Sequence, residues 1–194
     1  MQAKEAILSR RSVRKYQTKP IPKEILEDII LAGQSAPTAM NRQEIKQYVI
    51  ANDIKKIQAI GQKVMENRAK AGKMGGWIEE YKQKYEVEDP IFYDAPCIIA
   101  LTADKTGNER NDYWHLMDAG IVTGNILTMA TNYGIGTVPI GIANFLNQEA
   151  VLESIGADKE KEHLLLVISL GYPVEGYNEK YQHKKDLVSF VKYA

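Results

Sequence analysis

The chain has a single cysteine, Cys97, and no excess of either charge, since its 25 basic residues are balanced by 25 acidic ones. One thiol excludes an internal disulfide framework. A balanced charge without an extended basic face argues against nucleic-acid binding. No run of about 18 apolar residues is present to span a bilayer, and residues 1–20 lack the apolar core of a signal sequence. We therefore expect a soluble, cytoplasmic protein that binds neither nucleic acid nor membranes.

Metal ligands and catalytic signatures are also scarce. The histidines are His115, His163 and His183, which lie far apart in the sequence, and neither an HExxH nor a CxxC pattern occurs. We predict that each histidine is a surface or capping residue and that no metal is bound. A phosphate loop of the Walker type and the local signature of a catalytic triad are absent as well. What remains is anion binding by cationic side chains. Such binding suits a cofactor that performs the chemistry itself.

Hydrophobic residues make up 44% of the chain, which is ample for the core of one domain, with or without an excursion. Apolar residues recur at helical spacing up to Gly33, from Ile54 to Val64 and from 111 to 133. Continuous apolar runs at 96–103 and 164–170 predict strands buried on both faces, which would leave Cys97 an inert core residue. Strands separated by helices indicate a three-layer α+β or α/β sandwich.

The segment RRSVRKY at residues 10–16 concentrates four cations and a hydroxyl. If it is extended, Arg10, Ser12 and Arg14 project to one face, because side chains alternate along a strand. The outer two then lie about 13 Å apart, which is the scale of a phosphorylated cofactor. The segment is therefore either a solvated basic run or the binding site of an elongated anion.

Three further segments offer groups for a ligand, and two of them leave two interpretations each. The loop at 34–42 offers hydroxyl and amide side chains. The run YGIGTVPIG at 133–141 lacks the third glycine of a dinucleotide fingerprint, so it is either a strand-edge turn or a backbone against which a ligand ring can lie. The aromatic segment 77–93 is either a cover over a flat ligand or a surface helix that rests its rings on the core.

Five short segments together carry a resemblance to a known family. Their order is RRSVRKY (10–16), APTAMNRQ (36–43), DAG (118–120), GIGTVPIG (134–141) and LGYP (170–173). This order resembles the FMN-dependent nitroreductase family from Ile7 to about Lys185. The resemblance implies an α+β fold, a nitroreductase-like three-layer α/β/α sandwich around a mostly antiparallel sheet, in a domain-swapped homodimer. It also implies one FMN-binding domain over 1–194, with a variable aromatic excursion at about 66–93 and a C-terminal arm at about 180–194.

The resemblance assigns the basic segment to FMN. Arg10 and Ser12 match family residues that hold the ribityl phosphate, and Arg11 matches a residue with main-chain contacts. Arg14 matches a basic residue near the pyrimidine edge of the flavin. A fixed cation at that edge stabilises the negative charge of the reduced ring, so Arg14 is also the expected catalytic residue.

Other cofactor-binding positions follow from the later motifs. The loop that reaches FMN from the other subunit is matched by Pro37, Thr38, Ala39 and Asn41. The backbone that faces the isoalloxazine ring is matched by Pro139, Ile140 and Gly141, and the late basic position at the phosphate by Lys184 and Lys185. The chain departs from the family after Gln43, where Glu44 and Ile45 replace the usual proline and aromatic residue.

The activity implied is that of an oxidoreductase with FMN as cofactor and NADH or NADPH as electron donor. Similar enzymes work by a ping-pong cycle and reduce a small organic acceptor such as a nitroaromatic, a quinone, an enone or another flavin. Two alternatives stay open: oxygen-dependent flavin fragmentation or dehalogenation on the same fold, and a flavin-binding protein without turnover. Steady NAD(P)H consumption with menadione would discriminate the last of these.

Overall fold

The structure is a computed structural model that describes residues 2–73 and 75–177, and within 144–147 the backbone alone. Two of the longer helices begin at capping side chains, because Asp53 accepts from the Lys56 amide and Asn108 from the Arg110 and Asn111 amides. The helices are α1 (Ala3–Ser9), α2 (Lys23–Gln34), α3 (Ile54–Lys70), α4 (Trp77–Tyr85), α5 (Glu109–Asn132) and α6 (Ile142–Ile155). A short 3-10 turn spans Ala39–Asn41.

The strands form one antiparallel sheet. They are β1 (Lys46–Ala51), β2 (Cys97–Asp104), β3 (Gly136–Ile140) and β4 (Glu162–Gly171), in the order β1-β2-β4-β3. Ile99 of β2 and Pro139 of β3 both pair with Ile168, so β4 is central beside β2. Pro139 lacks an N–H, which suits its position in a strand at the edge of the sheet.

Alternating side chains of β2 divide the core into two layers. Ile98 and Ala100 pack with α3, α6 and the segment around Phe92, whereas Cys97, Ile99 and Leu101 pack with α2 and α5. Helices therefore cover both faces of the sheet, which confirms the predicted three-layer α+β sandwich with an antiparallel sheet. Cys97 is fully buried as predicted, and burial raises the pKa of its thiol to about 12.

The basic segment lies extended along the free edge of β3. Ser12 forms a parallel bridge with Thr137, and the Val13 amide donates to the Thr137 carbonyl at 3.0 Å. Val13 is buried, whereas Ser12 and Arg14 on either side of it are only half-buried. A Cβ on Gly136 would stand 2.5 Å from a methyl carbon of Val13, so glycine is required for this close approach.

Three features bear on the sequence predictions in different ways. Helix α6 follows Gly141 directly, although no helical pattern was predicted there. The predicted C-terminal arm at 180–194 lies outside the described residues. Among the helices of residues 2–73 and 75–177, none combines the length and apolarity needed to cross a membrane.

Candidate functional site

The first part of the basic segment lines a cavity at the end of β3. Arg10 and Arg11 border this space of about 210 Å³ together with Val13, Gly136 and residues of the α5 C-terminus, including Thr131 and Gly134. The Arg11 guanidinium donates to the carbonyls of Leu8 (2.9 Å) and Arg10 (2.7 Å), which fixes it against α1. Two guanidinium groups at one opening make an anion-binding surface.

Arg14 lines a second cavity, of about 240 Å³, farther along β3. The structure brings Arg14 to the predicted ring-contacting residues, since Pro139, Ile140 and Gly141 line the same cavity. Its guanidinium carbon lies 5.9 Å from the ring centre of Tyr85 and 6.0 Å from that of Tyr93. Both distances fall within the range of cation–π attraction, so the aromatic rings hold the cation at this wall.

The aromatic segment supplies another wall of this cavity. Trp77, Tyr81, Tyr85 and Tyr93 meet edge to face or tilted, with ring centres 5.4 to 6.4 Å apart. Tyr85 and Tyr93 are buried in the core, whereas Trp77 and Tyr81 are half-buried and line the cavity. The rings therefore rest on the core, which agrees with the interpretation of this segment as a surface helix. They also border the cavity beside Arg14.

The turn that carries Tyr93 is held by two aspartates. The Asp94 carboxylate accepts from the Glu88 amide (2.8 Å), the Asp89 amide (3.1 Å) and the Gln58 side chain (2.7 Å). Tyr93 and Asp94 have positive φ values of 60° and 50°, a conformation that costs non-glycine residues on the order of 1 kcal/mol. Burial raises the pKa of Tyr93 to about 12, while the Arg14 charge opposes the shift.

Asp89 is a buried carboxyl behind this wall. Burial raises its pKa to about 7, although backbone N–H donors at Ile91 and Phe92 favour the ionised form. Its Oδ1 accepts from the Ile91 amide at 2.8 Å, and its Oδ2 has no hydrogen-bond partner among the described residues. Nothing local in the sequence distinguishes Asp89 from the surface carboxylates near it, so its burial is not predictable from the sequence.

Ser12 and Thr137 lie between the two cavities. The Thr137 hydroxyl is buried and lacks a hydrogen-bond partner among the described residues. The Tyr177 hydroxyl donates to the Ser12 carbonyl at 3.0 Å and accepts from the Arg14 amide at 3.1 Å. Tyr177 therefore fastens the middle of the basic segment, a role that the sequence does not signal.

The predicted cofactor loop lies elsewhere in the chain. The Ala39 amide donates to both carboxylate oxygens of Asp118 at 3.1 Å, and the Thr38 hydroxyl accepts from the Gln43 amide at 3.0 Å. Met40, Asn41 and Gln43 have positive φ values. Thr38 lines a cavity with Gly33 and Val122 rather than either of the cavities along β3.

Not all predicted residues are brought together. Arg10, Arg11, Ser12 and Arg14 follow the edge of β3 to the segment Pro139, Ile140 and Gly141, whereas Pro37, Thr38, Ala39 and Asn41 form the separate loop. Lys184 and Lys185 lie outside the described residues.

The prediction is wrong for His115. This residue is only 2% exposed, and its Nδ1 lies 3.2 Å from Nε2 of His163. His163 is half-buried and forms a pair with it. Their 48-residue separation hides the pair in the sequence, since it forms only when α5 packs against the start of β4.

Comparison with known proteins agrees with this architecture. Residues 7–172 match the model of the Nitroreductase family. The chain belongs to the nitroreductase family. The chain is 26% identical over 175 residues to the "Putative NADH dehydrogenase/NAD(P)H nitroreductase" of Methanothermobacter thermautotrophicus, covering 90% of the chain and 79% of that protein. The family prediction is thereby confirmed.

Other relatives carry different names. The chain is 27% identical over 177 residues to the "Iodotyrosine deiodinase" of Haliscomenobacter hydrossis, covering 86% of the chain and 77% of that protein. It is 26% identical over 161 residues to the "FMN reductase [NAD(P)H]" of Bacillus subtilis, covering 76% of the chain but only 57% of that protein. The chain likewise spans about half, 54%, of the "Iodotyrosine dehalogenase 1 homolog" of Caenorhabditis elegans.

Solved structures show the same fold. The nitroreductase of Bacteroides fragilis with bound FMN superposes with a TM-score of 0.81 at 24% identity, covering 99% of this chain and all of that one. The nitroreductase of Desulfitobacterium hafniense, also with bound FMN, gives a TM-score of 0.75 at 24% identity and the same coverage. At 24% identity, this structural likeness establishes the fold alone.

Proposed function

We propose that this nitroreductase is an FMN-dependent oxidoreductase that takes a hydride from NADH or NADPH and reduces a small organic acceptor. Family membership supports the oxidoreductase class, and the FMN-bound structural neighbours support the cofactor. The observation that carries the proposal is the extended segment along β3. It places Arg10 and Arg11 at one cavity and Arg14 at the next, beside Pro139 and Gly141.

The residues along β3 fit the chemistry of FMN. A phosphate requires cations and N–H donors, which Arg10 and Arg11 supply. A flat ring requires an open backbone surface, and the position of a Cβ on Gly141 has no atom within 4 Å. The buried Thr137 hydroxyl, unpartnered among the described residues, is a polar group that a ligand between the two ends can satisfy. Lys184 or Lys185 would complete the phosphate site as the resemblance implies.

Bound FMN supplies the hydride-transfer chemistry, and the chain supplies binding, orientation and charge. Arg14 places a positive charge at the ring end, where it stabilises the anionic reduced state more than the neutral oxidised state. Helix α6 begins directly after Gly141, so its free N–H groups add positive potential at the same wall. Trp77 and Tyr81 reduce the access of water and offer flat surfaces to an aromatic acceptor.

Dehalogenation is a second candidate activity. It is supported by relatives named iodotyrosine deiodinase that cover most of this chain, and by the aromatic wall beside Arg14, which suits a phenol ring. Incubating the reduced protein with a halotyrosine and measuring released halide separates this activity from nitro or quinone reduction. Neither the structure nor the relatives favour oxygen-dependent flavin fragmentation.

We also propose that the protein works as a homodimer. Helix α5 exposes an apolar stripe at helical spacing that consists of Tyr113, Leu116, Met117 and Ile121, which are 41 to 61% exposed. Pairing through this stripe would explain why the loop at 37–41 lines no cavity with Arg14 of its own chain. Light scattering should give twice the chain mass, and Met117→Glu should lower it to one chain while also weakening FMN binding.

The direct test of the redox assignment is Arg14→Ala. We expect a more negative flavin reduction potential and NAD(P)H oxidation slowed by about 100-fold, since one stabilising group at the developing charge is lost. Potential and rate are measured on fully loaded protein, so that weaker FMN binding does not imitate the effect. Arg14→Lys, which keeps the charge, should retain most of the potential.

Three outcomes would contradict the proposal. Purified protein that does not take up FMN contradicts the cofactor. Bound flavin that stays oxidised under excess NADH and NADPH, with menadione as acceptor, indicates a binding protein without turnover. An unchanged potential in Arg14→Ala removes Arg14 from the catalytic role.

A further inference from the structure

A cluster of potential metal ligands lies where α5 meets the start of β4. Asp112 and His115 are three residues apart on α5, so they share one helix face. His163 is the second residue of β4. One ligand atom from each of the three residues lies within 4.8 Å of the other two. We propose that Asp112, His115 and His163 form a binding site for a Zn²⁺-like divalent cation.

The two imidazoles already have the spacing of metal ligands. Nδ1 of His115 and Nε2 of His163 are 3.2 Å apart. In a tetrahedral zinc site with Zn–N bonds of about 2.0–2.1 Å, two nitrogens stand about 3.3 Å apart. An ion can therefore replace the proton shared by the two rings without moving either histidine far. The Asp112 carboxylate lies close enough to become the third ligand after a small side-chain rotation.

Carboxylate and hydroxyl groups orient these ligands from behind. Nε2 of His115 lies 3.2 Å from Oε2 of Glu44, which selects the tautomer that leaves Nδ1 free to bind a metal. The Thr106 hydroxyl (2.7 Å) and amide (3.2 Å) donate to Oδ1 of Asp112, so that Oδ2 is available. A hydrogen bond between the two histidines would account for their contact alone. It leaves unexplained why the carboxylates of Glu44 and Asp112 flank the pair.

The ligand set determines the kind of cation. Two imidazole nitrogens and one carboxylate suit Zn²⁺ and its neighbours, whereas Ca²⁺ and Mg²⁺ prefer oxygen ligands throughout. A cavity of about 330 Å³ is bordered by Asp112 and His163, so there is room beside the ion for a water or another fourth ligand. His115 is almost wholly buried, which places the ion at the boundary between core and solvent.

The test is zinc uptake by the full-length, FMN-loaded protein after treatment with a chelator and dialysis against ZnCl₂. Metal analysis should give one zinc per chain, with a rise in the midpoint of thermal unfolding because the ion binds the folded state. His163→Gln should weaken binding by at least 100-fold. Glu44→Gln, which removes an orienting charge, should weaken it by about 10- to 100-fold. Flavin absorbance verifies that each variant is folded.

His183→Gln is the matched control, since it removes the remaining histidine of the chain and should leave zinc affinity unchanged. The proposal is overturned if the wild type takes up no zinc, if His163→Gln binds as well as the wild type, or if His183→Gln loses binding. Cobalt substitution of the wild type keeps the test decisive should a variant fail to fold. Tetrahedral Co²⁺ with nitrogen and oxygen ligands must add absorption to the red of the flavin bands, and its absence contradicts the site.

Discussion

The two ends of β4 carry opposite chemistry. Where β4 ends, Arg10, Arg11 and Arg14 follow the edge of β3, and no acidic residue is found among the described residues that line their cavities. Where β4 begins, His115 and His163 meet the carboxylates of Glu44 and Asp112. His163 and Leu170 are seven residues apart in one strand, so the ends are separated by about 23 Å. One end suits an anionic ligand and the other a cation.

Helix α5 explains part of this arrangement, because it runs between the same two ends. Its N-terminus, the positive end of the helix dipole, carries Glu109 and Asp112. Its C-terminus, the negative end, borders the cavity of Arg10 and Arg11. Each charged side chain thus lies at the end of α5 that attracts it, so the helix dipole stabilises the protein's own charged groups at both ends rather than the ligands that they would bind.

The largest expected effect is at the cationic end. Arg10→Glu should weaken FMN binding on the order of 100-fold, since it replaces an attraction to the phosphate by a repulsion, and losing a charged partner alone costs about 2–5 kcal/mol. Lys4→Glu makes the same charge change on the exposed face of α1 and should alter FMN affinity less than threefold. Fluorescence titration of released apoprotein with FMN measures both. Equal losses in the two variants would mean that net charge, not position, governs binding.

The basic segment and the strands were predictable because their signals are local. The apolar run that begins at Pro96 predicts a strand buried on both faces, and β2 sends alternate side chains into both layers of the core. The alternation of Arg10, Ser12 and Arg14 follows from an extended backbone, which the bridge of Ser12 to Thr137 shows. The sequence contains enough information wherever neighbours along the chain decide the structure.

The rest depends on contacts between distant segments. The histidine pair joins residues 48 positions apart, and the sequence spacing of its members resembles no metal motif. The wall beside Arg14 requires Tyr93, whose positive φ is a conformation that bulky residues rarely adopt and that the sequence does not indicate. Asp89 becomes unusual only through burial against α3, where a Cβ on Gly61 would stand 2.3 Å from its carboxylate.

The two regions also differ in the direction in which they shift the pKa of a carboxyl group. The hydrogen bond from the Thr106 hydroxyl lowers the pKa of Asp112 and favours its ionised form. Burial instead raises the pKa of Asp89, behind the aromatic wall beside Arg14, to about 7. Native Asp89 binds its proton above the usual carboxyl pKa of about 3.9, so the free energy of unfolding should fall as the pH rises from about 4 to 7. The expected loss by pH 8 is on the order of 2–4 kcal/mol.

Asp89→Asn isolates this contribution, because the amide is neutral at every pH and keeps Oδ1 for the Ile91 amide. Urea unfolding at pH 5 and pH 8 should show a smaller decrease for the variant than for the wild type, with other titrating groups cancelling between the two proteins. Identical pH profiles would show that Asp89 is ionised at both pH values. Asp94 and Lys82, the charged groups nearest Asp89, are unchanged in this comparison.

Gly136 tests the contact that creates the cationic end. Gly136→Ala places a methyl group 2.5 Å from Val13 and 3.0 Å from Pro173, so the basic segment must shift away from β3. Overpacking of this kind costs about 1–3 kcal/mol in the free energy of unfolding, and FMN affinity should fall with it. Gly76→Ala is the control, because its Cβ meets no atom within 4 Å. Zinc uptake at the opposite end should be unaffected by either change.

The smallest expected effect separates the two ends most directly. Thr106→Val removes the hydroxyl that donates to Asp112 at 2.7 Å, and because the bond is exposed its loss should cost about 0.5–1 kcal/mol in the free energy of unfolding. Zinc affinity should fall severalfold, since Asp112 loses its orientation, whereas FMN affinity should stay within twofold of the wild type because sites this far apart contribute additively. A matching loss of FMN affinity would instead show that α5 couples its two ends, and the opposed charges would then belong to one cooperative unit rather than to two independent sites.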